Sequence, residues 1–185
     1  GSGRVAAMTV LLRAASEPAV LPAGVEQWRP ATGRLGYSFS ALGASLSRAV
    51  DVVFCGHLYM APLAALIARL KRAKLVIQMH GIEAWPCPTR LLRAAVERAD
   101  LILCVSRYTR ARVLSWASVV PERVVVLPNT VDEIFTPGPS TLRASLGLKG
   151  KRVLLTVGRL DARERYKGHD RVMRAIPSLV AQGHD

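Results

Sequence analysis

The sequence predicts an α/β fold, a parallel sheet with helices on both faces. Three observations carry this expectation. Strand-like and helix-like runs alternate along the 185 residues, as in repeated βαβ units. The strand-like runs are apolar at nearly every position, the mark of strands covered on both faces, and not at every second one. Five of them stop at one polar or small residue that opens a loop or helix: FCGHLYM, IQMHGIEAW, ILCVSRYTR, VVLPNTVDEIF and LLTVGRLDARERYKGHD. Ligands of open parallel sheets sit outside the carboxyl ends of the strands, so His57, His80, Ser106, Asn129 and Gly158 are expected along one rim.

In chain order, Val5 to Leu12 reads as a buried strand. Pro18, Pro22, Gly24, Pro30, Gly33 and Gly36 then preclude a long regular element and mark a surface loop with room for one short strand. Small and apolar residues recur at helical spacing from Tyr37 to Val50, and Asp51 leads into a strand over Val52 to Cys55. Tyr59 to Ala73 is the clearest helix, because Pro62 is tolerated in a first turn and the basic end suits the negative pole of the helix dipole. A strand over Leu75 to Met79, a helix over Arg90 to Ala99, a strand over Leu101 to Val105, a helix over Arg107 to Ala117 and a strand over Arg123 to Leu127 follow.

Phe135-Thr136-Pro137-Gly138-Pro139 then breaks all regular structure, and a short helical piece over Thr141 to Leu146 leads into Gly147 and Gly150. Beyond it a new βα unit is expected: a strand over Arg152 to Val157, a long charged loop over Gly158 to Gly168, and a helix over His169 to Ala181 interrupted by Pro177. One strand and one helix cannot bury their own apolar faces. The expected organisation is therefore a first domain over 1–147 and the truncated opening of a second over 148–185, the whole being a fragment.

Half of the residues are apolar, as in a globular protein, and Lys plus Arg exceed Asp plus Glu by 13. Such an excess draws phosphates, anionic lipid or nucleic acid. The arginines recur at helical spacing (Arg90, Arg93, Arg98; Arg107, Arg110, Arg112), as on solvated helix faces. Three Trp, four Tyr and three Phe, without a stacking platform, speak against a nucleic-acid reader. Cys55, Cys87 and Cys104 form no CxxC pair, and two lie inside strand-like runs, which points to a reducing, cytoplasmic setting. No apolar stretch approaches the ~18 to 20 residues that span a bilayer, and no signal peptide opens the chain.

The candidate chemistry lies on the rim. Gly158 permits close backbone approach, and Arg159 and Lys167 place two cations beside a helix start whose free N–H groups favour anions. They read as a diphosphate clamp or as solvated partners of the DARER run; neither GxxxxGK[ST] nor GxGxxG is present. His80, at a strand end before Gly81, suits a hydrogen bond to a sugar hydroxyl or phosphate, or proton transfer, besides a structural role. HGIE is not HExxH and no third ligand accompanies it, so no catalytic metal is expected. Ser106 fits a helix N-cap, Asn129 a turn, and His57 is a further residue on the edge. No Ser-His-Asp or Cys-His set and no paired catalytic carboxylates stand out.

Four motifs, QMHGIEAW, ADLILCVSRYTRARVL, VVVLPNTVDEIFTPG and LLTVGRLDARERYKGHDRVMRAI, occur in an order that resembles the retaining GT-B glycosyltransferases of family 4, over roughly Val52 to Pro177. The resemblance implies two facing Rossmann-like domains, the first binding acceptor and the second the nucleotide-sugar donor. It implies that Gly158, Arg159 and Lys167 hold the donor diphosphate and that His80 reaches the transferred sugar as the catalytic-centre residue. Fixed cations would offset the charge on the departing diphosphate in place of a metal, so no cofactor is implied. The implied partners are a nucleotide-sugar and a glycan or lipid-linked acceptor of polysaccharide biosynthesis, with peripheral contact at the inner, anionic membrane face.

The chain departs from the family pattern. The first strand with its glycine-rich acceptor loop is not found, the donor domain's acidic motif is missing, the Arg159 to Lys167 spacing is long, and Thr130 stands where glycine is common. The 185-residue chain is expected to be inactive by itself. Two rival readings are a non-catalytic scaffold derived from half of such an enzyme and a basic nucleic-acid binder, which would show a steep salt dependence.

Overall fold

Strand and helix alternate from Val25 to Val126, as the βαβ rhythm requires. The computed structural model describes residues 5–13, 21–138 and 141–184. Pro18, within the loop expected from composition, lies outside them. The chain divides into two compact units, Gly1–Thr130 and Val131–Asp185.

In the first unit, β1 (Met8–Val10) pairs in parallel with β2 (Val25–Gln27), a separate two-stranded sheet. The expected strand over Val5 to Leu12 is thus shorter, and the short strand in the loop is its partner. Helix α1 (Arg34–Leu46) follows; beyond its end Arg48 reaches back to Glu26 at 2.6 Å and Thr9 at 3.1 Å. The main sheet comprises β3 (Val52–Cys55), β4 (Lys74–Met79), β5 (Leu101–Cys104) and β6 (Val124–Val126), all parallel and in chain order. Helices α2 (Ala61–Lys71), α3 (Arg90–Glu97) and α4 (Arg107–Trp116) are the crossovers.

Register shows which face holds the core. Cys55 lies beside Ile77, Ile77 beside Ile102, Met79 beside Cys104, and Ile102 beside Val124. All of these are buried, in one cluster with Ala61, Ala64 and Ala68 of α2, Ala95 and Val96 of α3, and Val113 and Trp116 of α4. The alternate residues share the other face, where Val52, Phe54 and Val125 are 54%, 55% and 43% exposed. Among the described residues α2 to α4 therefore cover one face only, and the expectation of helices on both is corrected. Apolar residues at successive positions show that a strand can be covered twice; they do not show which chain segment supplies the second layer.

The second unit holds α5 (Leu142–Ser145), a 3-10 segment over Ala162–Lys167 and α6 (His169–Ala181). The expected strand over Arg152 to Val157 does not form: Leu154, Leu155 and Val157 are 61%, 83% and 86% exposed and pair with no neighbour among the described residues. A strand is stabilised by its ladder, and apolar composition alone supplies none. Pro177 does not interrupt α6, which continues through it; the missing N–H removes one bond to the preceding turn and the rest of the ladder holds. No described residue of this unit is fully buried.

Candidate functional site

Parallel strands in chain order deliver every strand's carboxyl end to one edge, so His57 follows β3, His80 follows β4, Ser106 follows β5 and Asn129 lies past β6. His57 and His80 come together, with ring centroids 6.2 Å apart. His57 caps the short 3-10 turn Leu58–Met60, its Nδ1 accepting the Tyr59 N–H at 3.3 Å. An accepting Nδ1 leaves the proton of the neutral ring on Nε2. His80 has the opposite arrangement: its Nε2 lies 2.8 Å from the Gly56 carbonyl oxygen. A carbonyl only accepts, so Nε2 donates and Nδ1 carries the free lone pair of the neutral ring. The exposed rim thus offers one imidazole N–H and one imidazole lone pair, a pairing suited to hydroxyl groups.

The loop bearing His80 is held from below. Glu83 folds back so that Oε1 accepts the backbone N–H of His80 at 2.6 Å and of Gly81 at 3.2 Å. Gly81 has φ +146°, a backbone state that side chains with a Cβ rarely adopt. The next turn is anchored to α4: Trp116 Nε1 donates to the Ala84 carbonyl at 2.9 Å, Arg112 Nε to the Trp85 carbonyl at 3.0 Å, and Trp85 Nε1 to the Thr109 hydroxyl at 3.3 Å. The Trp85 ring also stands edge-on to Tyr108 at 5.1 Å.

Ser106 accepts the Thr109 N–H at 3.1 Å and donates to the Thr109 hydroxyl at 3.1 Å. It is the N-cap of α4, and its side chain is engaged in that role. Asn129 stands exposed. The two strand cysteines face the core: burial pushes the Cys104 thiol up to about 11 against the nearby Arg110, and burial likewise raises Cys55, opposed by its contact with the His57 backbone. Neither is an activated nucleophile.

In the second unit, a Cβ on Gly158 would meet His169 Nε2 at 3.0 Å, so a larger residue there requires that ring to give way by a few tenths of an ångström. Arg159 Nη2 pairs with Glu164 Oε1 at 2.5 Å, and the Lys167 ammonium sits over the Tyr166 ring at 5.2 Å. The start of α6 carries Asp170, bound by Arg165 at 3.0 Å, and this neighbouring guanidinium holds the carboxyl below its ordinary range. The DARER run is therefore laced by ion pairs, and Arg159 is oriented by one of them. The sequence showed Glu83 only within HGIE, weighed there as a metal motif, and gave no sign of the Gly56 carbonyl; the local signal was one glycine beside each histidine, Gly56 before His57 and Gly81 after His80.

A family model described as Glycosyltransferase Family 4 matches residues 8–134. A GDP-mannose-dependent alpha-(1-6)-phosphatidylinositol monomannoside mannosyltransferase of Mycolicibacterium smegmatis is 36% identical over 130 residues, which are 64% of this chain and 33% of that protein. D-inositol 3-phosphate glycosyltransferase 1 of Catenulispora acidiphila is 31% identical over 146 residues, 70% of this chain and 34% of its own length. The chain thus spans about a third of these curated relatives. Anabaena HepE, solved with UDP, superposes with a TM-score of 0.64 at 20% identity, covering 82% of this chain and 43% of that one. Its complex with UDP-glucose gives 0.64 at 19% identity. These likenesses show the Rossmann-like α/β fold of the GT-B type.

Proposed function

Because the chain belongs to glycosyltransferase family 4, an enzyme family, we propose that it is the acceptor-side portion of an enzyme that passes a hexose from a nucleotide-sugar to a glycan or lipid-linked acceptor. The observation that carries this reading is His80, fixed at a strand end with its Nε2 on the Gly56 carbonyl and its backbone N–H on Glu83. Its Nδ1 is the atom that accepts a hydrogen bond from a hydroxyl of the transferred sugar, with His57 and Asn129 on the acceptor side of the rim. Gly158, Arg159 and Lys167 take the donor diphosphate, and the two cations offset the charge developing on that leaving group. Transfer on this reading retains configuration and needs no metal. The named nucleotide-sugar ligand of HepE and the GDP-mannose dependence of the mycobacterial relative support a nucleotide-sugar donor.

The net charge of +13 supports a peripheral contact with anionic lipid on the cytoplasmic side. Ser106 has a capping role on this reading and no substrate contact. The 185-residue chain alone is inactive, and sugar transfer by it would overturn that part.

The test is a titration with UDP-glucose and GDP-mannose in which the His80 imidazole is followed by nitrogen NMR. The expected result is a shift of Nδ1 with one donor and, in a separate calorimetric titration, weaker binding of that donor with the double substitution Arg159→Ala, Lys167→Ala. No response of His80 to either donor would remove this chain from donor recognition.

A further inference from the structure

The end of the main sheet opposite the histidines carries a basic hollow. Helices α2 and α3 both finish there, and Lys74 opens β4. A cavity of about 510 Å³ is lined by Arg69, Arg72, Lys74, Arg98 and Asp100 over an apolar floor that includes Ala68. At about 3.3 Å per residue the six residues of β4 separate it from His80 by roughly 20 Å. It is a distinct place on the same unit.

Four cations share this hollow with one carboxylate, and that carboxylate is committed. Asp100 Oδ1 receives the Lys74 ammonium at 2.7 Å and Oδ2 the Leu75 N–H at 2.9 Å. Arg69, Arg72 and Arg98 have no carboxylate at ion-pairing distance among the described residues. All three stand at helix ends, Arg69 in the last turn of α2, Arg72 as the C-cap of α2 and Arg98 as the C-cap of α3, where cations offset the exposed carbonyl groups.

Arg72 is different. Its φ of +55° makes it the one non-glycine residue with positive φ among the described residues. Its N–H closes α2 on the Ala68 and Arg69 carbonyls, and the Ala73 N–H bonds Ala68 at 2.9 Å. Glycine is the residue that such a cap favours, because a Cβ is strained there. A guanidinium is thus held where its own backbone resists it, beside two others of the same sign.

We propose that this hollow binds a phosphate group, with the Arg72 and Arg98 forks closing on its oxygens and Arg69 adding charge at the wall. Planar guanidinium forks match phosphate oxygens in pairs, and three of them left without carboxylates are stabilised by an anion between them. The phosphate belongs either to a small soluble ester or diphosphate or to a lipid headgroup. This site does not depend on the proposed transfer reaction, since none of its residues lies on the rim.

The experiment uses the chain with Arg159→Ala and Lys167→Ala already in place, which removes the cations assigned to the donor diphosphate. One arm titrates it with sodium pyrophosphate by calorimetry; the other sediments it with phosphatidylcholine vesicles containing phosphatidic acid. Pyrophosphate binding without vesicle binding identifies a soluble ligand, the reverse identifies a headgroup, and both outcomes support the site. Arg72→Gly and Arg98→Ala are each expected to weaken the binding roughly tenfold, the loss of one charged hydrogen-bonding group. Arg72→Gly should keep its thermal midpoint, because glycine suits the cap, so its loss of binding cannot be ascribed to unfolding. Retention of neither probe by the starting protein, or undiminished binding in both arginine variants, would overturn the proposal.

Discussion

Gly81 and Glu83 decide how His80 is presented, and both act through the backbone. At φ +146° Gly81 occupies a region that other residues enter at a cost of about 1–3 kcal/mol. There is room for a methyl group, since the nearest atom to a Cβ is 3.6 Å away on the Trp85 ring. The penalty for Gly81→Ala is therefore conformational, on the order of 2 kcal/mol, and urea denaturation should read it as a lower midpoint with an unchanged slope. A midpoint equal to the parent's would show that the loop takes another backbone path. The strand-end histidine was legible from IQMHGIEAW, because an apolar run that stops at a polar residue places it on the rim. The return of the Glu83 carboxylate to two N–H groups was not, because HGIE is equally consistent with a side chain pointing into solvent.

Helix α4 links the rim to the core. Ser106 caps its first turn through the Thr109 N–H, while Thr109, Arg112 and Trp116 hold the loop after His80. Ser106→Ala should cost about 1 kcal/mol, typical of a lost N-cap, and hydrogen exchange at the Thr109 amide should accelerate by a comparable factor. Protection left at the parent level would mean that the hydroxyl does not cap this helix. The expected bounds of the helices beginning at Arg90 and Arg107 hold to within two residues, because caps and apolar spacing are local properties. The strand expected over Arg152 to Val157 fails for the opposite reason: its stability lies in a partner that the local sequence does not contain.

In the first unit two paired carboxyls make stability depend on acid. The Glu97 carboxyl is held below its ordinary range by the Ser118 N–H at 2.8 Å and then by Arg93 at 2.7 Å, tying α3 to the segment before β6. Asp100 is lowered by the Lys74 ammonium and the Leu75 N–H, tying β4 to β5. A depressed carboxyl stabilises the folded state fully above its unfolded value and loses this as pH falls through the folded one. With unfolded values near ~4.3 for Glu and ~3.9 for Asp, the denaturation midpoint should be flat near neutrality and decline below about pH 4. Glu97→Gln should lower the neutral-pH midpoint and flatten the acid limb. An acid limb as steep as the parent's in that variant would exclude Glu97 as a contributor.

The sequence by itself determined the α/β class, the parallel sheet, the rim with its two histidines and the family, because alternation, apolar runs and motif order are all written along the chain. Tertiary structure decided which sheet face is covered, whether an apolar run finds a ladder, which ring nitrogen of His80 keeps its proton, and that three unpaired arginines converge on one hollow. Each of these depends on a group distant in sequence, such as the Gly56 carbonyl beside His80 or Arg98 beside Arg72. Local pattern specifies what a segment can be; its partners in space settle what it becomes.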